Sequence, residues 1–214
     1  MRNQKKIINS IKKNISIFIN NTYAFNTLLN NSCIIAGKFL LNHINNIYKY
    51  NIYNNNKDII NIYCDLYQYE RLKIFLINNN FRSIKMIVGS NKRTYIKILN
   101  YNSLTFNIQI TNYPIKYIDN NIKLNIEKVY YNGTLMVMPY IKNILLKYEE
   151  VFINDLEYIT SPEILLYISY GYKFRFTNIK NYDIIIISNY FKKNKRNQIK
   201  NIVSYILYKC HIYK

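Results

Sequence analysis

Acidic side chains are scarce in this chain, 11 against 30 Lys and Arg, so chemistry that depends on carboxylates has few places to occur. Two of them, Asp58 and Asp65, bracket the short β-branched run Ile59–Cys64, which reads as a buried strand. Side chains two positions apart on a strand point to one face, where paired carboxylates can share divalent metal ions. Asp65 falls on the face of Asn61 and Tyr63, whereas Asp58, an odd step from Asn61, falls on the other. Asn61 is neutral, so that face is offered one carboxylate and not a pair. Both acids also have simpler structural roles, Asp58 as a solvated residue at the strand entrance and Asp65 as the N-cap of a following helix.

Other reactive arrangements are missing. The sequence contains no G-x-S-x-G, P-loop or dinucleotide-binding glycine pattern. His43 and His211 fall in no recognisable pattern with a Ser, Cys or Asp partner, although Cys210 adjoins His211, and His43 is expected at the surface or boundary of its helix. Cys33, Cys64 and Cys210 are odd in number, far apart and set in apolar stretches, as reduced core thiols are. No paired C-x-x-C spacing supports a zinc site. Glu149 and Glu150, the one adjacent acidic pair, read as a solvated helix end. The densest basic run, Lys192, Lys193, Lys195 and Arg196 around Asn194, is either a solvated loop or a patch that contacts phosphate.

The elements that must hold these residues follow from periodicity. Ile7, Ile8, Ile11, Ile15, Phe18 and Ile19 recur at helical spacing opposite Lys12, Lys13 and Asn14, which predicts an amphipathic helix over 5–20 packed on the domain. A second helix follows a tight turn at Gly37, burying Phe39, Leu40, Ile44 and Ile47. After the strand at 59–64, helical spacing returns over Leu66–Asn78. Strands are expected at 83–88, 94–99, 104–111 and 124–131, the third with Phe106, Ile108 and Ile110 on one face and Asn107, Gln109 and Thr111 on the other. Asn132-Gly133 predicts a hairpin with a type I′ turn between 126–131 and 134–138. Helices are expected over 140–150 after Pro139, from Ser161-Pro162 to the stop at Gly171, and over 197–209. The asparagine clusters at 54–56 and 78–80 read as loops.

The stretch Ile34-Ile35-Ala36-Gly37-Lys38-Phe39, followed by Lys57-Asp58-Ile59-Ile60-Asn61-Ile62-Tyr63, resembles the nucleotidyltransferase superfamily. The segments Asn107–Ile110 and Asn121–Gly133 resemble later strands of nucleotidyltransferase-like proteins of large DNA viruses, so the likeness spans about residues 30–175. The resemblance implies an α+β fold, a mixed or antiparallel sheet flanked by helices, with Gly37 and Lys38 at the turn that approaches a nucleotide. It places the weight of catalysis on a carboxylate pair in the strand, here Ile59 and Asn61, with Asp58 and Asp65 as the nearest acids. It also implies Mg²⁺, but only if the site is active, and no cofactor otherwise. The chain departs from the family's pattern at Lys38, where a second small residue is usual, and at Lys123 and Asn125, where acids are usual. These departures imply a catalytically degenerate member that binds or scaffolds.

Composition bounds the remainder. Half of the residues are apolar, enough for a core in one domain over 1–214, with a helical region at 5–28, a nucleotidyltransferase-like core at 30–175 and a basic loop and helix at 190–214. A net charge of +19 favours nucleic acid or an anionic surface as partner, although the dominance of Asn, Ile, Lys and Tyr reflects AT-rich coding and inflates that signal. Two further readings stand beside the degenerate one: an active metal-dependent nucleotidyltransferase, and a basic accessory protein whose 24 tyrosines stack on unpaired bases. A protein partner is equally compatible with a scaffold. No apolar run approaches the length of a membrane span, and Lys12, Lys13 and Asn14 interrupt what a signal peptide would need. An intracellular location, cytoplasmic or nuclear, is expected.

Overall fold

The computed structural model describes residues 2–47, 57–84, 90–99, 102–152, 164, 167–168, 170–179 and 182–186. The architecture is mixed α+β, in two compact units, Met1–Tyr140 and Ile141–Lys214. The division falls inside the 30–175 stretch.

The first unit contains a sheet of seven strands, β1 (Cys33–Ala36), β2 (Lys57–Cys64), β3 (Arg82–Ile84), β4 (Lys92–Leu99), β5 (Asn102–Ile110), β6 (Tyr130–Tyr131) and β7 (Met136–Val137). Their order is β3-β4-β5-β2-β1-β6-β7. β2 and β5 run parallel over their whole length, while the other pairs are antiparallel. Helices α1 (Arg2–Ser16), α2 (Thr22–Leu28), α3 (Lys38–Ile47), α4 (Leu66–Asn78) and α5 (Pro114–Asn121) complete it.

Period-two alternation sorts the two sheet faces. Ile60, Ile62, Cys64, Phe106, Ile108 and Tyr95 are buried on one side. There Phe106 packs against Phe25 of α2 at 5.6 Å between ring centroids and against Phe81 at 5.2 Å. Asn61, Tyr63, Thr94, Asn107 and Gln109 lie on the other side and remain partly exposed. Over β1 that second face is closed by α5, whose Ile118 is buried with Ile34 and Ala36. β1 is therefore buried on both faces.

Several elements differ from expectation for identifiable reasons. α1 ends at Ser16, and the chain turns so that Phe18 and Ile19 donate back to the Ile15 carbonyl, both at 3.0 Å. Of the stretch 124–131 only Tyr130–Tyr131 is strand. A 3-10 turn spans Asn125–Glu127, because the buried residues Leu124, Ile126 and Val129 break alternation at their last step. The Asn132-Gly133 connection is not a two-residue type I′ turn. Tyr131 pairs with Met136, leaving a four-residue loop in which the Asn132 side chain accepts from the backbone N–H of Thr134 and of Leu135. Only Gly133 there takes positive φ, +91°.

In the second unit, α6 covers Ile141–Leu146, shorter than the predicted helix, and Lys147 at φ +50° ends it. β8 (Tyr148–Phe152), β9 (Lys173–Ile179) and β10 (Tyr182–Ile186) form a sheet in the order β10-β9-β8. The Glu149-Glu150 pair thus lies in a strand and not at a helix end. Alternation buries Glu149 completely and leaves Glu150 exposed, 3.5 Å from Arg175. Gly171 (φ +90°) follows the helical residues Tyr167 and Ile168, with the Tyr172 N–H donating to the Tyr167 carbonyl at 3.0 Å, a glycine-dependent C-terminal cap. Ser161, Pro162 and the helix expected over 197–209 lie outside the described residues.

Candidate functional site

β1 and β2 pair so that Ala36 is opposite Asn61, and the chain leaves β1 through Gly37 at φ +87° to begin α3 at Lys38. A Cβ placed on Gly37 would lie 3.7 Å from Asn61 Nδ2. The turn therefore faces the middle of β2, held by the Gly37 N–H donating to the Val129 carbonyl at 3.1 Å. Val129 follows the 3-10 segment that contains Asn125. Lys38 opens α3 half-buried, and Lys123 is exposed.

From Asn61 the polar face runs outward through register partners. Asn61 is opposite Asn107 on β5, which is opposite Thr94 on β4, and the Thr94 hydroxyl donates to Asn107 Oδ1 at 3.1 Å. One row further, Tyr63 is opposite Gln109 and Gln109 opposite Lys92. Tyr63 also meets Tyr117 of α5 at 5.7 Å between centroids. An open pocket of about 400 Å³ lies over these side chains, with Lys92 and Arg93 also in its wall. Among the described residues its wall contains no Asp or Glu. Burial, aided by Tyr117 and Glu127, pushes the Tyr63 phenol up to about 12, so it stays neutral. Amides, hydroxyls and two rings make this a hydrogen-bonding and stacking surface.

Glu127 lies near enough to Tyr63 to act on its phenol, while the two acids that bracket β2 are engaged elsewhere. Asp58 projects to the opposite face of β2, half-buried, and accepts from Asn14 Nδ2 of α1 at 3.2 Å. Burial raises its carboxyl above the usual range. It is less solvated than a strand-entrance residue would be. Asp65 caps α4, its carboxylate accepting from the Gln68 N–H at 2.8 Å. Asp65→Ala is expected to cost about 1 kcal/mol in urea unfolding, with Asp65→Asn close to neutral; a cost to Asn as large as that to Ala would show that the charge, and not the cap, matters.

His43 corrects the sequence expectation, because it is 6% exposed and not at the surface. Its Nδ1 lies 2.9 Å from Ser10 Oγ and its Nε2 3.4 Å from Asn14 Nδ2. A neutral ring protonated on Nδ1 satisfies both, donating to the serine and accepting from the amide that also reaches Asp58. Burial lowers the imidazole to about 4, which makes it a poor base at neutral pH and a good internal strut. Sequence distance hid this chain of contacts, since Ser10 and Asn14 lie 33 and 29 positions from His43.

Among the described residues no group of three or more His, Cys, Asp or Glu side chains is placed to hold a metal ion. Nor, among the described residues, is any helix long and apolar enough to cross a membrane. Cys33 and Cys64 are buried free thiols, opposite each other across β1 and β2. Cys210, His211 and the basic run Lys192, Lys193, Lys195 and Arg196 lie outside the described residues. No protein-family model matches the chain, and no curated protein matches it.

Proposed function

We propose that this chain is a nucleotidyltransferase-like domain without metal-dependent transfer, working as a binding module through the polar sheet face beside Gly37. One observation carries the reading: a left-handed glycine turn faces the centre of a β strand across 3.7 Å, and the residue it faces is the neutral Asn61. A triphosphate held by divalent metal needs convergent carboxylates there. The strand instead presents Ile59, 53% exposed, and Asn61 on that face, with Asn107 alongside. Amides that both donate and accept, next to the Tyr63 and Tyr117 rings and with Lys92 and Arg93 in the same wall, suit a polar group of a ligand or partner that is neutral or anionic.

The test restores what is missing. Calorimetry on the natural chain with a nucleoside triphosphate is expected to give no Mg²⁺-dependent heat. Ile59→Asp/Asn61→Asp places two carboxylates on one face of β2, and Mg²⁺ is then expected to stabilise the double variant alone, by about 1.4 kcal/mol at ten times Kd. Mg²⁺-dependent incorporation of a labelled nucleotide by the natural chain, abolished by Asp58→Asn or Asp65→Asn, would overturn the reading in favour of an active enzyme.

A further inference from the structure

We propose that the exposed face of α1 is a docking surface for the phosphate backbone of duplex nucleic acid, independent of the pocket beside Gly37. α1 divides cleanly around its axis. Ile7, Ile11 and Ile15 are 0%, 0% and 3% exposed, so the main apolar stripe is committed to the core, with Ile8 half-buried at its edge, and little is left to insert into a bilayer. The opposite arc carries Lys5, Lys6, Lys12 and Lys13, all exposed, with exposed Asn9 and Ser16 between them.

At about 100° per residue these lysines form two rows, Lys5 with Lys12 and Lys6 with Lys13, whose members sit about 10.5 Å apart along the axis. A helix with its side chains is about 10–12 Å across, close to the major-groove width of about 12 Å. Lysines on the two flanks therefore reach phosphates on either side of a groove while the short Asn9 and Ser16 face its floor. Among the described residues no Asp or Glu pairs with these lysines. The first Asp or Glu in the chain is Asp58, whose carboxylate is engaged by Asn14 on the packed side of the helix. AT-rich coding explains a high lysine content, but not its segregation to one arc of a helix free of acids.

The experiment is fluorescence anisotropy of the full chain with a short DNA duplex across a salt series. The variant carries Lys5→Gln, Lys6→Gln, Lys12→Gln and Lys13→Gln, since glutamine keeps helix propensity while removing charge. A charge-matched control carries Lys116→Gln, Lys123→Gln, Lys142→Gln and Lys173→Gln, all at exposed positions. Four released counterions correspond to a slope change of about 3.6 in log Kd against log salt, about a hundredfold between 50 and 200 mM. The α1 variant is expected to lose that slope with an unchanged melting curve, and the control to retain most of it. Equal losses in both variants would reduce the effect to net charge and overturn the proposal. So would an α1 variant that binds like the natural chain, or binding by phosphatidylserine vesicles in place of the duplex.

Discussion

Gly133→Ala is expected to destabilise the Met1–Tyr140 unit by about 3 kcal/mol or more, read from the urea midpoint at constant slope. Two costs add. The residue sits at φ +91°, where an L side chain loses about 1–2 kcal/mol. A Cβ there would also lie 2.6 Å from the Asn26 carbonyl and 2.8 Å from that of Leu29, backbone atoms that cannot rotate aside. The close approach is fixed by a compact knot: Tyr131 donates to Asn26 Oδ1 and to the Gly133 carbonyl, each at 2.6 Å, and Asn26 Nδ2 donates to the same carbonyl at 2.5 Å. A loss below about 1 kcal/mol would mean that the β6–β7 loop relaxes away from α2. Gly37→Ala separates the two costs, since it meets positive φ with only a 3.7 Å contact, and is expected to lose the smaller amount.

The second large effect is acid sensitivity. Above pH 6.5 His43 is neutral in both states and its contribution is fully present. As pH falls from its ordinary 6.5 towards about 4, the unfolded chain takes up a proton that the buried ring refuses. Stability is lost at about 1.4 kcal/mol per pH unit, about 3 kcal/mol over the window. Asp58 acts in the opposite sense. Its raised carboxyl is penalised while charged, so its protonation returns part of the loss at the acid end. Denaturant unfolding at a series of pH values is expected to show the decline, and His43→Gln to flatten it. An equal acid slope in that variant would assign the effect to carboxylates elsewhere.

What could be read beforehand depended on how local the signal was. α4 and β5 were legible, because thirteen residues of helical spacing and the strict alternation around Phe106 each outweigh a neighbour's influence. β1 was missed: a four-residue run buried on both faces has no alternation to display. α5 was missed because two turns carrying Ile115, Ile118 and Ile122 give a short period behind Pro114. For the site, the neutrality of position 61 was readable from the residue type, whereas the meeting of Gly37 with Asn61 depends on the β1–β2 pairing. The contributions of Thr94 and Gln109 depend on register across three strands, which no single segment specifies. The Ser10, Asn14, His43 and Asp58 chain joins α1, α3 and β2 and is invisible until they pack.

The short β1 strand also governs when this unit can fold. Ile35 pairs with Ile62 on one side and with Tyr131 on the other, so its second partner arrives only near the end of the unit. The parallel β2–β5 pairing likewise waits for everything between them. Such distant pairings slow folding, and during synthesis the buried strand beside Gly37 stays half-partnered until the β6 tyrosines emerge. A nascent chain paused before Tyr131 therefore exposes the Cys33–Ala36 edge, the most apolar strand of the sheet, to whatever else is being made nearby.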